Sequence, residues 1–310
     1  TYMEISEMTE ATDYTETETL NMKDQPDLYR LWSGSAHIMN KLYSSETGAI
    51  GGMNYALSEE DYLRMSYDQY AVGINRVIWH GHASSWGPED TTAWPGYEGM
   101  YAGISTRLDS REPNSKDYAE MNNHLGRVQE LLREGVSRTD IGILHLRYGE
   151  NTAYPFADMN AFREHKGLTW SDTSLQDNGY TYDYFSPDYL DNMTYDTENG
   201  LGENVGYQAI IVQQEVLPVE DAKTLLEFAK QGLKVVVLNG AGTKSPYNDD
   251  TAEELNSVMD ELKALDNVKT AASEAEAMTV LQEMDVRPRA ELTGGNTQLM
   301  TQLRENDGDR

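Results

Sequence analysis

The sequence predicts an α/β protein with parallel strands, and three observations predict it. Helical and strand-like segments alternate from about residue 26 to residue 80, and each strand closes on a polar residue. A second, longer alternation follows Gly135 and reads as a complete doubly wound unit of about 150 residues. No apolar run approaches the ~18 residues of a membrane span; the longest, such as Lys234-Val-Val-Val-Leu238, have the length of buried strands.

Residues 1–25 are expected to form an acidic lead-in, a loop or a disordered arm. Glu4, Glu7, Glu10, Asp13, Glu16 and Glu18 stand there among threonines without a clear period, and residues 1–22 hold no base. Order is expected from Pro26. Leu28, Leu31 and Trp32, continued by Ala36-His-Ile-Met39, have helical spacing, and Lys41-Leu-Tyr-Ser-Ser-Glu46 reads as a short strand ending on Glu46. Ser58-Glu-Glu-Asp61 has the form of a helix start, a Ser N-cap with acids in the first turn, and Gly73 is the matching stop. Asn75-Arg-Val-Ile-Trp-His80 is the next strand. Residues 81–115 form a long loop carrying Trp86, Trp94, Tyr97 and Tyr101, and loops of that length without structure of their own are uncommon unless functional or disordered. A helix over about 117–134 completes a first region, 26–138.

The second region, 139–288, opens with the strand Ile141–Leu146. A helical stretch near 157–178 and strands at Tyr182–Phe185 and Ala209–Val212 follow. Pro218 opens a helix that Gly232 stops, and Leu233–Leu238 is the next strand. Helices near 251–264 and 274–284 flank a weak strand at 267–270. Asn239-Gly-Ala-Gly242 lacks the remaining glycine of a phosphate-binding G-x-G-x-x-G and reads as a tight turn. Residues 289–310 are expected to be a polar tail.

Composition narrows the function. The net charge is −29, from 53 acids against 24 bases over 310 residues. Such a surface repels phosphate backbones and anionic membranes, which argues against nucleic-acid partners and membrane insertion. Neutral sugars, cations and an extracellular or periplasmic setting are compatible with it. With no cysteine, disulfides, thiolate catalysis and Cys-based metal sites are excluded.

Several stretches, in order, carry a family resemblance. Ser35-Ala-His-Ile-Met-Asn-Lys-Leu-Tyr-Ser-Ser-Glu46 resembles the α-L-rhamnosidases of glycoside hydrolase family 106. Tyr70-Ala-Val-Gly-Ile-Asn-Arg-Val-Ile-Trp-His-Gly81 is similar to that family's next strand. Tyr118, Asn122, Arg127, Leu131-Leu132, Gly135, Asp140-Ile-Gly-Ile-Leu144, Gly179-Tyr-Thr-Tyr-Asp183, Tyr207-Gln-Ala-Ile-Ile211 and Leu217-Pro218 continue the pattern. The resemblance runs from about residue 30 to residue 285. It implies the C-terminal part of a (β/α)8-type barrel followed by a doubly wound flavodoxin-like domain. A full barrel needs about 250 residues, whereas about 140 precede the second region, so the last two of eight strands are expected here. The partners this implies are a carbohydrate substrate and either a missing upstream part of the same protein or further copies in a homo-oligomer.

Glycosidic cleavage uses two carboxyl groups, one protonating the leaving oxygen and the other activating water or attacking the sugar. Barrel enzymes place such groups at the C-terminal ends of strands. Glu46 is the catalytic candidate, and the resemblance makes it the water-activating base, with the partner acid expected on the missing barrel strands outside these 310 residues; the plain alternative is a surface Glu opening a loop. His80, His82 and His37 are candidates for substrate binding, although for His37 on its helix the reading as a helix-surface or packing residue is favoured. His80-x-His82 suggests a metal pair, but no further ligand is identifiable and no metal site is assigned. Trp86, Trp94 and Tyr97 are expected to stack on sugar rings or to pin their loop, with Asp90 and Glu98 beside them. No organic cofactor is expected, while the resemblance admits calcium. The expected function is hydrolysis of rhamnose-type or related glycans by carboxylate acid/base catalysis. The alternative is a non-catalytic structural or carbohydrate-binding protein derived from a glycosidase.

Overall fold

The computed structural model describes residues 4–22, 26–53, 55–82, 108, 112–146, 170–246, 250–292 and 299–306. Two parallel sheets organise them. The first has three strands in chain order: β1 (Thr15–Glu18), β2 (Tyr43–Thr47) and β3 (Arg76–Trp79). The second has β4 (Ile141–Leu144), β5 (Tyr182–Phe185), β6 (Ala209–Val212), β7 (Lys234–Leu238) and β8 (Val268–Ala271) in spatial order β8-β7-β6-β4-β5. Numbered within that sheet, this is the order 2-1-3-4-5 of a doubly wound sheet.

Strand alternation divides the second sheet's residues between two cores. Ile210, Val212, Val235 and Val237 pack with Leu225 and Leu226 of α5 (Val219–Lys230) and with Leu255 and Met259 of α6 (Ala252–Lys263). On the other face Ile141, Ile143, Tyr182, Tyr184, Ile211 and Val236 meet Val280 and Leu281 of α7 (Glu274–Glu283). Leu28 and Leu31 join this core, and they belong to α2 (Pro26–Ile38), the helix that runs into β2. The opposite side of α2 packs Tyr29 and Ala36 with Tyr43, Val72 and Ile74. One helix therefore serves both sheets, which accounts for its burial all round.

Gly34 sets how closely α2 approaches. A Cβ added there would lie 2.1 Å from the carbonyl oxygen of Tyr184. Gly34→Ala must push helix from strand, so we expect a loss of about 1–3 kcal/mol in urea unfolding; a neutral result would show that the two elements separate freely.

The N-terminal segment corrects the expectation of a loop. Ile5–Ala11 forms a helix, α1, and Thr15-Glu-Thr-Glu18 is a sheet strand with both threonines buried. Alternating β-branched and charged residues are a period-2 strand pattern, which the high acid content of the segment obscures. The tail also differs from expectation. Arg304–Glu305 pairs antiparallel with Val136–Ser137, and Arg138 forms an ion pair with Glu305. Gly135, at φ +61°, lies so close to the Glu305 carbonyl that no side chain fits there.

Helix α3 (Glu59–Ala71) starts on the expected capping box: the Ser58 hydroxyl accepts from Asp61 N–H, and the Asp61 carboxylate accepts from Ser58 N–H. Helix α4 (Ser115–Arg133) packs against α3 through Tyr118, Met121 and Leu125. Of the helical stretch expected near 157–178, residues 157–169 lie outside the described residues, and Ser174–Asp177 forms a single turn. No helix among the described residues is long and apolar enough to cross a membrane.

Asp221 sits buried in the first turn of α5. Burial, then the nearby charges of Asp188, Asp191 and Glu220, raise its carboxyl from 3.8 to about 7. A carboxyl that holds its proton more tightly when folded stabilises the fold at low pH. That contribution is complete below about pH 4 and is lost as pH rises to about 7. Asp221→Asn should therefore raise the thermal midpoint above about pH 7 and flatten the decline between those limits; an unchanged pH profile would contradict this.

Candidate active site

The site is built on the C-terminal ends of β1, β2 and β3. Tyr43, Ser45 and Thr47 of β2 face the helices: the Thr47 hydroxyl donates to Gln69 Oε1 at 3.0 Å and the Tyr43 hydroxyl to the Tyr29 carbonyl at 2.8 Å. Strand alternation then turns Ser44 and Glu46 to the opposite face. Register aligns Glu16 with Ser44 and Arg76, and Glu18 with Glu46 and Ile78. In-register partners on parallel strands share a face, and the Ser44 hydroxyl donating to Glu16 Oε2 at 2.8 Å agrees with this. One face of the sheet thus carries Glu16, Glu18, Ser44, Glu46, Arg76 and Ile78, with His80 next along the third strand.

Glu46 Oε1 and His80 Nε2 lie 3.7 Å apart, with side-chain exposures of 37% and 16%. That is beyond a hydrogen bond but within the range of a charge interaction when the imidazole is protonated. Thr19, just past β1, fixes the turn after Glu46. Its hydroxyl donates to the Ala49 carbonyl at 3.0 Å and accepts from Gly48 N–H at 3.0 Å. Gly48, at φ +106°, leaves room for the His80 carbonyl, which a Cβ would approach to 3.0 Å. Both side chains are therefore held by backbone that its neighbours constrain.

Of the expected binding residues, His82 is exposed and lines a cavity of about 100 Å³ with Trp79, Tyr118, Met121 and Asn122; Trp79 Nε1 donates to Asn122 Oδ1 at 2.7 Å. His37 is not part of this site. It lies at the C-terminus of α2, before β2 begins and therefore at the opposite end of the sheet from Glu46. Its ring is buried, with Nδ1 2.8 Å from Asp183 Oδ2 and Nε2 where a Cβ on Gly73 would intrude at 2.3 Å. This makes it a packing histidine between α2 and the second sheet. Trp86, Trp94, Tyr97, Tyr101, Asp90 and Glu98 lie outside the described residues. Among the described residues no three His, Asp or Glu side chains are grouped to hold a metal ion, so the calcium that the resemblance admits has no such cluster there.

At the strand ends of the second sheet, one side chain bridges β4 and β6. Gln214, after β6, accepts from Leu146 N–H at 2.7 Å and donates to the Leu146 carbonyl at 3.1 Å across the gap beside β4. Three of the four N–H groups of the Asn239–Gly242 turn are spent on backbone carbonyls: Asn239 donates to Ala271, Ala241 to Leu238 and Gly242 to Gln214. The turn therefore does not present the converging N–H groups of a phosphate cradle.

With this geometry, the chain compares with known proteins as follows. It is similar to the structure of a rhamnosidase from Novosphingobium sp. PP1Y, with a TM-score of 0.70 and 17% identity over 97% of this chain and 29% of that one. The fold is glycoside hydrolase-like. It is also similar to an apo GH42 exo-carrageenase from Bacteroides ovatus, with a TM-score of 0.52 and 13% identity over 88% of this chain and 34% of that one. The chain thus spans about a third or less of the length of these structures. No family model matches it, and no curated protein does.

Proposed function

We propose that the C-terminal end of the three-stranded sheet is part of the sugar site of a glycoside hydrolase acting on rhamnose-type or related glycans, with Glu46 as its water-activating base. The observation that carries this reading is the juxtaposition of Glu46 and His80 at the C-terminal ends of adjacent parallel strands. The glycosidase-like fold of the chain supports it. In this reading the three strands belong to a (β/α) barrel, and the sheet of order 2-1-3-4-5 is a flavodoxin-like neighbour that packs against it.

The chemistry follows from the charges. Glu46 takes a proton from water, the water oxygen bonds to the anomeric carbon, and the glycosidic C–O bond breaks. A second carboxyl group, on the opposite face of the sugar, delivers a proton to the departing oxygen. His80 orients the Glu46 carboxylate from the β3 side. The proposed setting is extracellular or periplasmic, where such glycans are met.

Release of 4-nitrophenol from a panel of aryl glycosides, with the α-L-rhamnoside and β-D-galactoside included, tests the reading. Turnover of at least one is expected. Sugar uptake with no turnover of any member would favour a non-catalytic carbohydrate-binding protein built on the same frame.

A further inference from the structure

We infer that the cavity between β3 and α4 is a second carbohydrate subsite, which holds one neutral sugar ring on the side of β3 away from Glu46. The inference rests on the glycosidase reading for the class of ligand and on the cavity itself for the place.

The cavity encloses about 100 Å³. One water needs about 10–15 Å³ on the same measure, so there is room for several waters or for a single sugar ring. Trp79 of β3 and Tyr118, Met121 and Asn122 of α4 form its walls, with His82 and Leu108 beyond the strand end. Trp79 is in register with Thr47, whose hydroxyl donates to Gln69 of α3. Both therefore face the helices, whereas Glu46 and Ile78 face the other way. The strand separates the cavity from Glu46.

The walls are fixed by contacts within the protein. Trp79 Nε1 donates to Asn122 Oδ1 at 2.7 Å, and the Tyr62 ring meets the indole edge-on with centroids 5.5 Å apart. Together these set the plane of the indole. Tyr118 and Met121 are buried in the core that joins α3 to α4.

The chemistry of the lining selects the ligand. Among the described residues it offers an indole, a phenol ring, a thioether and an isobutyl group as apolar surface, with an amide and an imidazole as polar groups. It contains no Asp, Glu, Lys or Arg. An ion would find no counter-charge there, and an anion would also meet the repulsion of a chain of net charge −29. A wholly apolar ligand would leave the amide unused. A sugar ring matches both parts: its C–H face lies on an aromatic ring, and its hydroxyls reach polar groups at the rim. Asn122 Oδ1 is taken by Trp79, while its Nδ2 donates to no protein atom among the described residues. Two N–H donors are thus open to sugar oxygens.

Fluorine NMR of the full chain labelled with 5-fluorotryptophan tests this. The chain has five tryptophans, and Trp79→Phe identifies the Trp79 signal by its loss. Methyl α-L-rhamnopyranoside and methyl β-D-galactopyranoside are titrated separately, with 4-nitrophenol as the apolar control. One of the sugars should shift the Trp79 signal saturably, in wild type and Glu46→Gln alike. Asn122→Ala should bind that sugar at least about tenfold more weakly, or ~1.4 kcal/mol, at an unchanged thermal midpoint. No shift with either sugar, a shift with 4-nitrophenol alone, or equal binding by Asn122→Ala would overturn the subsite. A shift that disappears in Glu46→Gln would mean that Trp79 senses the Glu46 site, and would overturn the separation of the two. Turnover is read independently. Hydrolysis of an aryl glycoside without a Trp79 shift removes the subsite alone, and a Trp79 shift without hydrolysis supports the subsite and removes the glycosidase reading. Should Asn122→Ala not fold, Leu108→Phe, which adds volume at the wall, decides: weakened binding supports the subsite and undiminished binding overturns it.

Discussion

Arg30→Met should cost the protein about 3–5 kcal/mol, a large part of the stability of an ordinary domain. Arg30 is 5% and Asp27 6% exposed, and the two charges lie 3.6 Å apart on the first turns of α2. The guanidinium donates to the Tyr182 hydroxyl at 2.8 Å and to Gln176 Oε1 at 2.9 Å, and it stacks 4.1 Å over the Tyr182 ring. Asp27 Oδ1 accepts from the hydroxyls of Tyr182 at 3.1 Å and Tyr184 at 2.6 Å. Burial raises the Asp27 carboxyl, and Arg30 and the two tyrosines pull it back down. Methionine keeps much of the volume but leaves Asp27 buried without its counter-charge, which is the costly half of a broken pair. Replacing Asp27 by Asn as well should return part of the loss. Urea unfolding of the wild-type, single and double variants measures both. A single-variant cost below about 1 kcal/mol would mean that water reaches Asp27 and that α2 is not clamped to the second sheet as described.

That clamp shows where the sequence was legible. Local signals were sufficient for the helices and strands whose determinants lie within a few residues. The Ser58–Asp61 capping box, the Gly73 stop and the apolar runs of β4, β6 and β7 all formed as read. What α2 would bury could not be read in the same way. Its helical spacing fits a helix beside β2 equally well, and Gly34 and Asp27 gain meaning only once Tyr184 lies against them. The tail is a similar case: Arg304 and Glu305 form a strand because Val136–Ser137 offers an edge more than 160 residues away in the chain.

The site was half legible. Glu46 and His80 could be placed because each ends an apolar or β-prone run, and strand ends gather functional groups. The strand beside Glu46 was missed, although the Thr15-Glu-Thr-Glu18 alternation carried the signal, because six acids and no base across residues 1–22 read as a solvated arm. His37 entered as a candidate through the family resemblance, in which a His-bearing helix leads into the strand that ends on Glu46. A helix that enters a parallel strand ends at the strand's start, which places His37 at the far end of the sheet.

The largest effect on activity is expected at Glu46 itself. Its side chain is 37% exposed, so replacing it by Gln should change stability by no more than about 0.5 kcal/mol. The amide keeps the shape of the carboxylate and cannot take a proton from water. Loss of a general base removes about 10²–10⁴-fold of rate, and the loss should fall on kcat rather than on sugar binding. The decisive measurement is therefore kcat for the best aryl glycoside, wild type against Glu46→Gln, at matched thermal midpoints. A fall of about 10²-fold or more is the predicted result, and near-normal turnover by Glu46→Gln would contradict the assignment of this strand end as the catalytic site.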